Sequence, residues 1–480
     1  MAKFSILSAL SRKASKQPDT RNLAGGRAYA QSPKLELVST LLTTFLKDEF
    51  YRTEKQTMAR IQELIIKVND PLFVAKAAVY VRQAHGMRSV SHLVAGELAR
   101  QVKGADWTRS FFNAVVRRPD DVLEILGYYL GTYGRPIPNS LKKGLGLALS
   151  RFDDYQLSKY RREHADFKLV DAVNLLRPKA TEPLGKLVRG ELAAPGTWET
   201  RLTQAGDSDE HEDLAAAKKA AWTELVQGRK LGYLALLRNL RNLLTQAPEL
   251  AEEVCQQLTQ ETAIRRSLVF PFQFLTALEV LQQGNLPEAS RLMNALNQAV
   301  DLSLANVPDF EGRTLVALDC SGSMRGRPQQ IGSLFAAVLV KRSAADLLVF
   351  SDQARYLSLN RSDSTLSLAK SIGFAQGGTN FNSLFEKADK TYDRIIILSD
   401  MQAWMGEGAP TKSFADYRRR HDAQPRIFSF DLKGYGSLQF PEPGVFALAG
   451  WSERSFGLLT QLDQDPAILL KEVESTPLAV

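Results

Sequence analysis

Five side chains in the last third of this chain have the types and spacing to hold a divalent cation together. Asp319-Cys320-Ser321-Gly322-Ser323 puts one carboxylate and two hydroxyls at alternate positions. Alternate residues of an extended segment point the same way, so these three groups can converge. Gly377-Gly378-Thr379-Asn380 offers a third hydroxyl, on Thr379, and Ser399-Asp400 a second carboxylate. A hard dication takes oxygen ligands, and magnesium typically keeps several waters and uses one or two carboxylates. Hydroxyls add ligation without excess negative charge, so such an ion could still accept an acidic group from a partner. The expected metal set is therefore Asp319, Ser321, Ser323, Thr379 and Asp400. Magnesium is the expected ion, with calcium or manganese as alternatives.

The same residues make poor nucleophiles. No histidine neighbours Ser321 or Ser323 in sequence, and Cys320 between them is expected to pack inward. The patterns Gly-x-Ser-x-Gly, Walker A and His-Glu-x-x-His are absent. A binding protein is expected, not an enzyme.

A second constellation is basic. Lys159-Tyr160-Arg161-Arg162-Glu163-His164 carries cations, a tyrosine and a histidine within two expected helical turns. Lys142, Lys143, Lys168, Arg177 and Lys179 flank it. Lysine and arginine supply phosphate contacts, and aromatic or guanidinium planes stack on exposed bases. The first 189 residues hold 32 Lys and Arg against 18 Asp and Glu, whereas residues 309–480 hold 19 against 20. A positive field confined to one region attracts polyanions. His85 and His92 are expected to be structural, and Arg238 and Arg241 to pair with acidic neighbours.

The elements that must position these groups differ between the two regions. From about residue 32 to 307 apolar residues recur at helical spacing, as in Lys34–Leu46. Turn signals such as Asn69-Asp70-Pro71 and Arg118-Pro119 punctuate the pattern. Single helices are expected over 153–164 and 230–245. Many short helices in succession predict an α-solenoid of HEAT-like pairs. Near Asp309 the pattern changes. Thr314–Asp319, Ala345–Phe350, Arg394–Ser399 and Arg426–Phe430 are short β-rich runs separated by helical stretches. That alternation predicts a doubly wound, mainly parallel α/β sheet, with ligands at the carboxyl ends of its strands. Two domains are thus expected, 1–308 and 309–480.

At 480 residues one core is too few, and the two cysteines, Cys255 and Cys320, cannot build a disulfide framework. No run is long and apolar enough to span a bilayer, no signal peptide is read, and a cytoplasmic protein with no membrane partner is expected.

The metal motif, in this order, resembles the metal-ion-dependent adhesion site of von Willebrand factor A domains. The helical region resembles the TROVE domain of Ro ribonucleoproteins, of the bacterial or phage type. The resemblance is carried by Thr20–Gly26, Ile137–Gly144, Arg151–Tyr160, Phe167–Pro178, Thr197–Glu199, Leu231–Asn242 and Phe270–Ala277. It implies a closed ring of helical repeats followed by the A domain. It further implies binding of small structured Y-like non-coding RNA on a basic outer face, and of single-stranded 3′ ends of misfolded RNA through the hole. The implied role is RNA quality control, maturation or decay with an exoribonuclease such as polynucleotide phosphorylase. The RNA-binding residues expected are Lys142, Lys143, Lys159, Tyr160, Arg161, Arg162, His164, Lys168, Arg177 and Lys179. Where the family shows His-Pro-Lys, this chain has Arg177-Pro178-Lys179, which keeps a planar cation and loses the titrating proton. The competing reading is a protein–protein adaptor that docks an acidic partner on the metal of its A domain.

Overall fold

The computed structural model describes residues 20–21, 27–28, 32–43, 53–161, 167–193, 198–204, 211–267, 269–283, 286–374, 377–403, 405, 410–433, 445–449 and 468–478. It is mostly helical, with an α/β sheet in the C-terminal third. The helices of the first part are α1 (Pro33–Thr43), α2 (Glu54–Val68), α3 (Pro71–Ala84), α4 (Ser89–Gln101), α5 (Thr108–Val115) and α6 (Pro119–Tyr133). Next come α7 (Asn139–Leu149), α8 (Asp154–Lys159), α9 (Leu169–Leu176), α10 (Glu182–Arg189), α11 (Trp198–Gln204) and α12 (His211–Gln227). The last six are α13 (Tyr233–Arg238), α14 (Leu240–Gln246), α15 (Ala251–Leu258), α16 (Glu261–Ser267), α17 (Pro271–Gln283) and α18 (Ala289–Ser303). Short strands β1 (Thr20–Arg21) and β2 (Arg27–Ala28) pair antiparallel ahead of them.

Local chemistry sets many of these ends. Thr53 and Gln56 form a reciprocal capping box at the start of α2. Asn69 takes a left-handed conformation at its end, and Asp70 then caps α3 ahead of Pro71. The expected helix over 230–245 is broken at Asn239, whose buried amide donates to the Ala235 carbonyl at 2.8 Å. That side-chain bond competes with the helical ladder and splits the segment into α13 and α14.

A charge cluster lies inside the packed α3, α4 and α6. Asp121 is fully buried. Its carboxylate accepts from Arg82 at 2.7 Å, from Arg88 at 2.9 Å and from the backbone N–H groups of Arg117 and Arg118. The His92 ring nitrogen sits 3.1 Å from it, so His92 is structural as expected. Neighbouring Asp120 takes Arg88 and Arg118.

The sheet has the order β5-β4-β3-β6-β7-β8. Its strands are β3 (Thr314–Asp319), β4 (Asp346–Phe350), β5 (Ala354–Tyr356), β6 (Arg394–Ser399), β7 (Arg426–Asp431) and β8 (Val445–Ala449). All pairings are parallel except β4 with the edge strand β5. Helices α19 (Arg327–Arg342), α20 (Thr365–Ser371), α21 (Phe381–Lys387) and α22 (Pro410–His421) belong to the same third of the chain. One face of the sheet buries Ile395, Ile397 and Ile427 against Phe385, Phe414 and Tyr417 of α21 and α22. On α19, Phe335 meets Phe430 of β7, ring centroids 5.0 Å apart. Strand order reverses at β3, which lies between β4 and β6. The crevice at its carboxyl end is where open α/β sheets bind ligands.

The described residues fall into two compact units that are not contiguous in sequence. Helix α20 and the last helix, α23 (Ile468–Ser475), count with the helices of Pro33–Asp309. Asp301 of α18 accepts from both the backbone and the hydroxyl of Thr365. Leu469 and Val473 of α23 are buried, and Tyr80 of α3 donates to Glu472 at 2.6 Å. Leu469→Ala should therefore destabilise the helical unit by about 2–5 kcal/mol, read from urea unfolding followed by circular dichroism. An unchanged midpoint would mean that α23 adds nothing to that core.

Candidate functional site

The parallel register sets the first group of side chains. Leu318 of β3 pairs with Leu398 of β6, so Asp319 and Ser399 follow side by side at the carboxyl ends of their strands. Ser399 donates its hydroxyl to Asp319 Oδ2 at 2.6 Å, and the backbone N–H of Ser321 donates to Oδ1 at 2.9 Å. Ser321 and Ser323 hydroxyls stand 3.3 Å apart. The loop carrying Thr379 touches this turn where Gly322 N–H donates to the Gly377 carbonyl at 3.1 Å. Thr379 itself is buried. The structure thus brings the loops of all five expected residues together.

Two carboxylates here are fully buried, those of Asp319 and Asp400. Asp400 Oδ1 accepts from the Gln402 backbone at 3.3 Å, while Oδ2 has no hydrogen-bond partner among the described residues. Burial pushes the Asp319 carboxyl well above the usual carboxylate range, and the neighbouring Asp400 charge pushes it further. Burial also raises Asp400, against the opposing pull of the Ser323 hydroxyl and the Lys433 ammonium. An orphaned carboxylate oxygen, a second buried carboxylate and adjacent hydroxyls are a donor set that fits a hard dication. Among the described residues no three His, Cys, Asp or Glu side chains are grouped to hold a metal, so hydroxyls would have to complete the set. The backbone carries strain at this point, since Met401 has φ 56°.

Sequence reasoning missed several supporting groups. Asp352 accepts from Gly378 N–H at 2.6 Å, and a Cβ on Gly377 would sit 2.7 Å from the same carboxylate. Gly377→Ala should therefore push the exposed Asp352 carboxylate off the Gly378 N–H. Lys433 donates to the Ser323 carbonyl at 2.6 Å from beyond β7. Neither Asp352 nor Lys433 has a local signal, because each arrives through strand order. Cys320 is buried as expected, and burial pushes its thiol up to about 12, which removes it as a nucleophile.

The basic constellation is only partly as expected. The helix expected over 153–164 ends at Lys159, so Tyr160 and Arg161 leave the helical surface. Arg162 and His164 lie outside the described residues. Tyr160 is half-buried beneath the Arg118 guanidinium, 4.2 Å from the ring centroid, a partner nothing in the local sequence indicates. Arg161 is half-buried, and its guanidinium reaches the Leu192 carbonyl at 3.5 Å. Lys143, Lys159, Lys168, Arg177 and Lys179 are exposed, Lys142 half so. None of these six is ion-paired with a described residue, whereas Arg82, Arg88, Arg118 and Lys186 all are. The turn of Arg177 and Lys179 lies against α7. Ser150 donates to the Lys179 carbonyl at 3.0 Å, and Pro178 packs over Gly146. The expected pairing of Arg238 and Arg241 is not found. Both point outward from helices whose leucines face the core, and neither meets a described acid.

The sequence profile of the TROVE domain matches residues 25–184 and 175–307. The chain belongs to the TROVE-domain family. Among its relatives is the RNA-binding protein RO60 of Deinococcus radiodurans, 28% identical over 300 residues that cover 55% of each chain. The RO60 protein of Caenorhabditis elegans is 24% identical over 45% of this chain and 38% of its own. Telomerase protein component 1 of Rattus norvegicus is 22% identical over 45% of this chain and 11% of its own. The chain thus spans between about a tenth and about half of these relatives. The crystal structure of the D. radiodurans Ro protein shares the fold. Its TM-score is 0.63 at 19% identity, over 93% of this chain and 100% of that one.

Proposed function

We propose that this TROVE protein binds RNA without enzymatic activity, using the basic surface of α7, α8 and α9 and the turns that follow them. The observation that carries the reading is selective pairing. Arg82, Arg88 and Arg118, packed among α3, α4 and α6, are matched to carboxylates, while Lys142, Lys143, Lys159, Lys168, Arg177 and Lys179 meet no acidic partner among the described residues. Unmatched cations on adjoining helices are suited to phosphates. Two relatives that carry the name RNA-binding protein give the polyanion its class.

On this reading the helices form a closed ring of HEAT-like repeats, spanning 1–308, and 309–480 is a von Willebrand A domain. The RNA is a small structured Y-like non-coding RNA on the basic surface, with single-stranded 3′ ends of misfolded RNA taken by the hole. The setting is cytoplasmic RNA quality control, maturation or decay alongside a nuclease such as polynucleotide phosphorylase. Asp319, Ser321, Ser323, Thr379 and Asp400 would hold magnesium, or calcium or manganese. The ion would supply a Lewis-acidic binding point for a carboxylate.

Fluorescence anisotropy with a structured RNA bearing a 3′ tail, titrated with salt, tests the RNA reading. Changing Lys159, Lys168 and Arg177 together to Glu should weaken binding strongly and lower the log–log salt slope by about 2–3. Binding that ignores salt, or a variant that binds as wild type, would overturn it.

The orphaned Asp400 oxygen favours a second role, an adaptor whose metal docks an acidic protein partner. Asp319→Ala should then release a partner that the wild type captures in magnesium but not in chelator. The two roles are compatible on one chain.

A further inference from the structure

The helical unit contains a second cluster of unmatched cations, and this one lines a cavity. The cavity has a volume of about 930 Å³ and lies where α4, α5, α6 and α7 adjoin. Arg100 and Lys103 reach it from the end of α4, Arg109 from α5, Arg135 from the α6–α7 connection and Lys143 from α7. All five are exposed, and none is ion-paired with a described residue. Asp106 is the one acid in the lining. Of the five, only Lys143 belongs to the basic constellation described above.

An aromatic plane completes the site. Tyr133 lines the cavity with a half-buried ring. Its hydroxyl donates to the buried carboxylate of Glu97 at 2.7 Å, which fixes the ring. Glu97 is itself held by Tyr128 and by Gln62. The Arg100 guanidinium stands 5.9 Å from the Tyr133 centroid, and the Tyr129 ring 5.5 Å away. An anchored aromatic ring beside exposed cations is the equipment for stacking one base while phosphates are neutralised.

We propose that this cavity receives a single unpaired nucleotide of an RNA strand, its base against Tyr133 and Arg100 and its flanking phosphates against the other cations. Five cations from three helices and two connections exceed what one phosphate engages, which points to a backbone on both sides of the base. A cavity of this size is at the upper end for small ligands and has room for a nucleotide with its neighbouring phosphates. Stacked duplex bases present no free face, so a strand must offer the nucleotide unpaired. The inference rests on the RNA-binding reading above and adds a site apart from Lys159, Lys168 and Arg177.

The test uses the full chain and a 5′-fluorescein hexauridylate in anisotropy titrations. Arg109→Glu with Arg135→Glu should weaken hexamer binding at least about 10-fold. Tyr133→Ala should weaken it by about 5-fold or more, and Tyr133→Phe by no more than about 2-fold, since the ring persists. Equal losses for Ala and Phe would assign Tyr133 to the Glu97 hydrogen bond alone and overturn the stacking role. Uridine monophosphate should compete only at concentrations far above the hexamer; competition at equal concentration would make this a free-nucleotide site and overturn the strand. A structured RNA should bind the Arg109→Glu/Arg135→Glu variant as wild type does if its contacts are those of α8 and α9. If that RNA binds and the hexamer ignores all the substitutions, the cavity fails while the proposed function stands. If neither RNA binds the wild type, both fall together.

Discussion

Replacing Asp121 by alanine is expected to cost about 3–5 kcal/mol of stability. The carboxylate is fully buried and receives Arg82, Arg88, His92 and two backbone N–H groups. Its removal leaves the buried Arg82 guanidinium without its counter-charge and the Arg117 and Arg118 amides without their acceptor. Partners left behind in the core cost more than the pair was worth. These hydrogen bonds and cations hold the Asp121 carboxyl far below the usual carboxylate range, against the desolvation that opposes them. The sign follows from that depression. The contribution is present above the ordinary carboxylate pKa and is lost as pH falls below about 4. Urea unfolding at pH 7 and at pH 3 checks both statements. Asp121→Asn should flatten the acid limb of the wild-type profile, and a variant with wild-type stability at pH 7 would contradict the cluster's role.

Asp319→Asn should move stability in opposite directions with and without metal. In chelator the wild type buries two carboxylates close together, and Asp319 is raised by burial and by Asp400. A raised carboxyl contributes stability below its ordinary pKa and loses it as pH rises toward the folded value. Removing the charge should therefore raise the melting temperature of the metal-free protein at pH 7 and leave it unchanged near pH 4. Magnesium at about 100 times its Kd should stabilise the wild type by about 2.7 kcal/mol and leave Asp319→Asn unmoved. Differential scanning fluorimetry across both conditions reads all four values. A variant that melts below wild type in chelator would show that the fold itself satisfies the Asp319 charge. Equal stabilisation of both proteins by magnesium would place the ion elsewhere.

Much of the local architecture could be read from residue patterns because its causes are local. Asn69-Asp70-Pro71 ends one helix and starts the next through a left-handed residue, a side-chain cap and a preset φ, all within three positions. The β-rich runs ending in Asp319 and Ser399 alternate with helical stretches, and that alternation alone implies a parallel sheet with polar residues at its strand ends. The charge surplus of the first 189 residues needs only counting.

What the tertiary structure decided is which charged groups meet. Sequence shows that Arg82, Arg88, Lys159 and Lys168 are all cations. It cannot show that the first two share Asp121 while the last two are ion-paired with no described acid, because pairing depends on helix packing across intervals of 30 or more residues. Tyr160 is a stacking candidate by residue type, and only the fold shows that Arg118, at the start of α6, covers its ring. Asp319 and Asp400 could be nominated from their own strand ends. The Ser399 hydroxyl on Asp319 and the orphaned Asp400 oxygen exist only because β3 lies beside β6 with Leu318 against Leu398. Helix caps and strand periodicity are written within a few residues. Burial, counter-charges and register are properties of neighbours that the chain brings together only on folding.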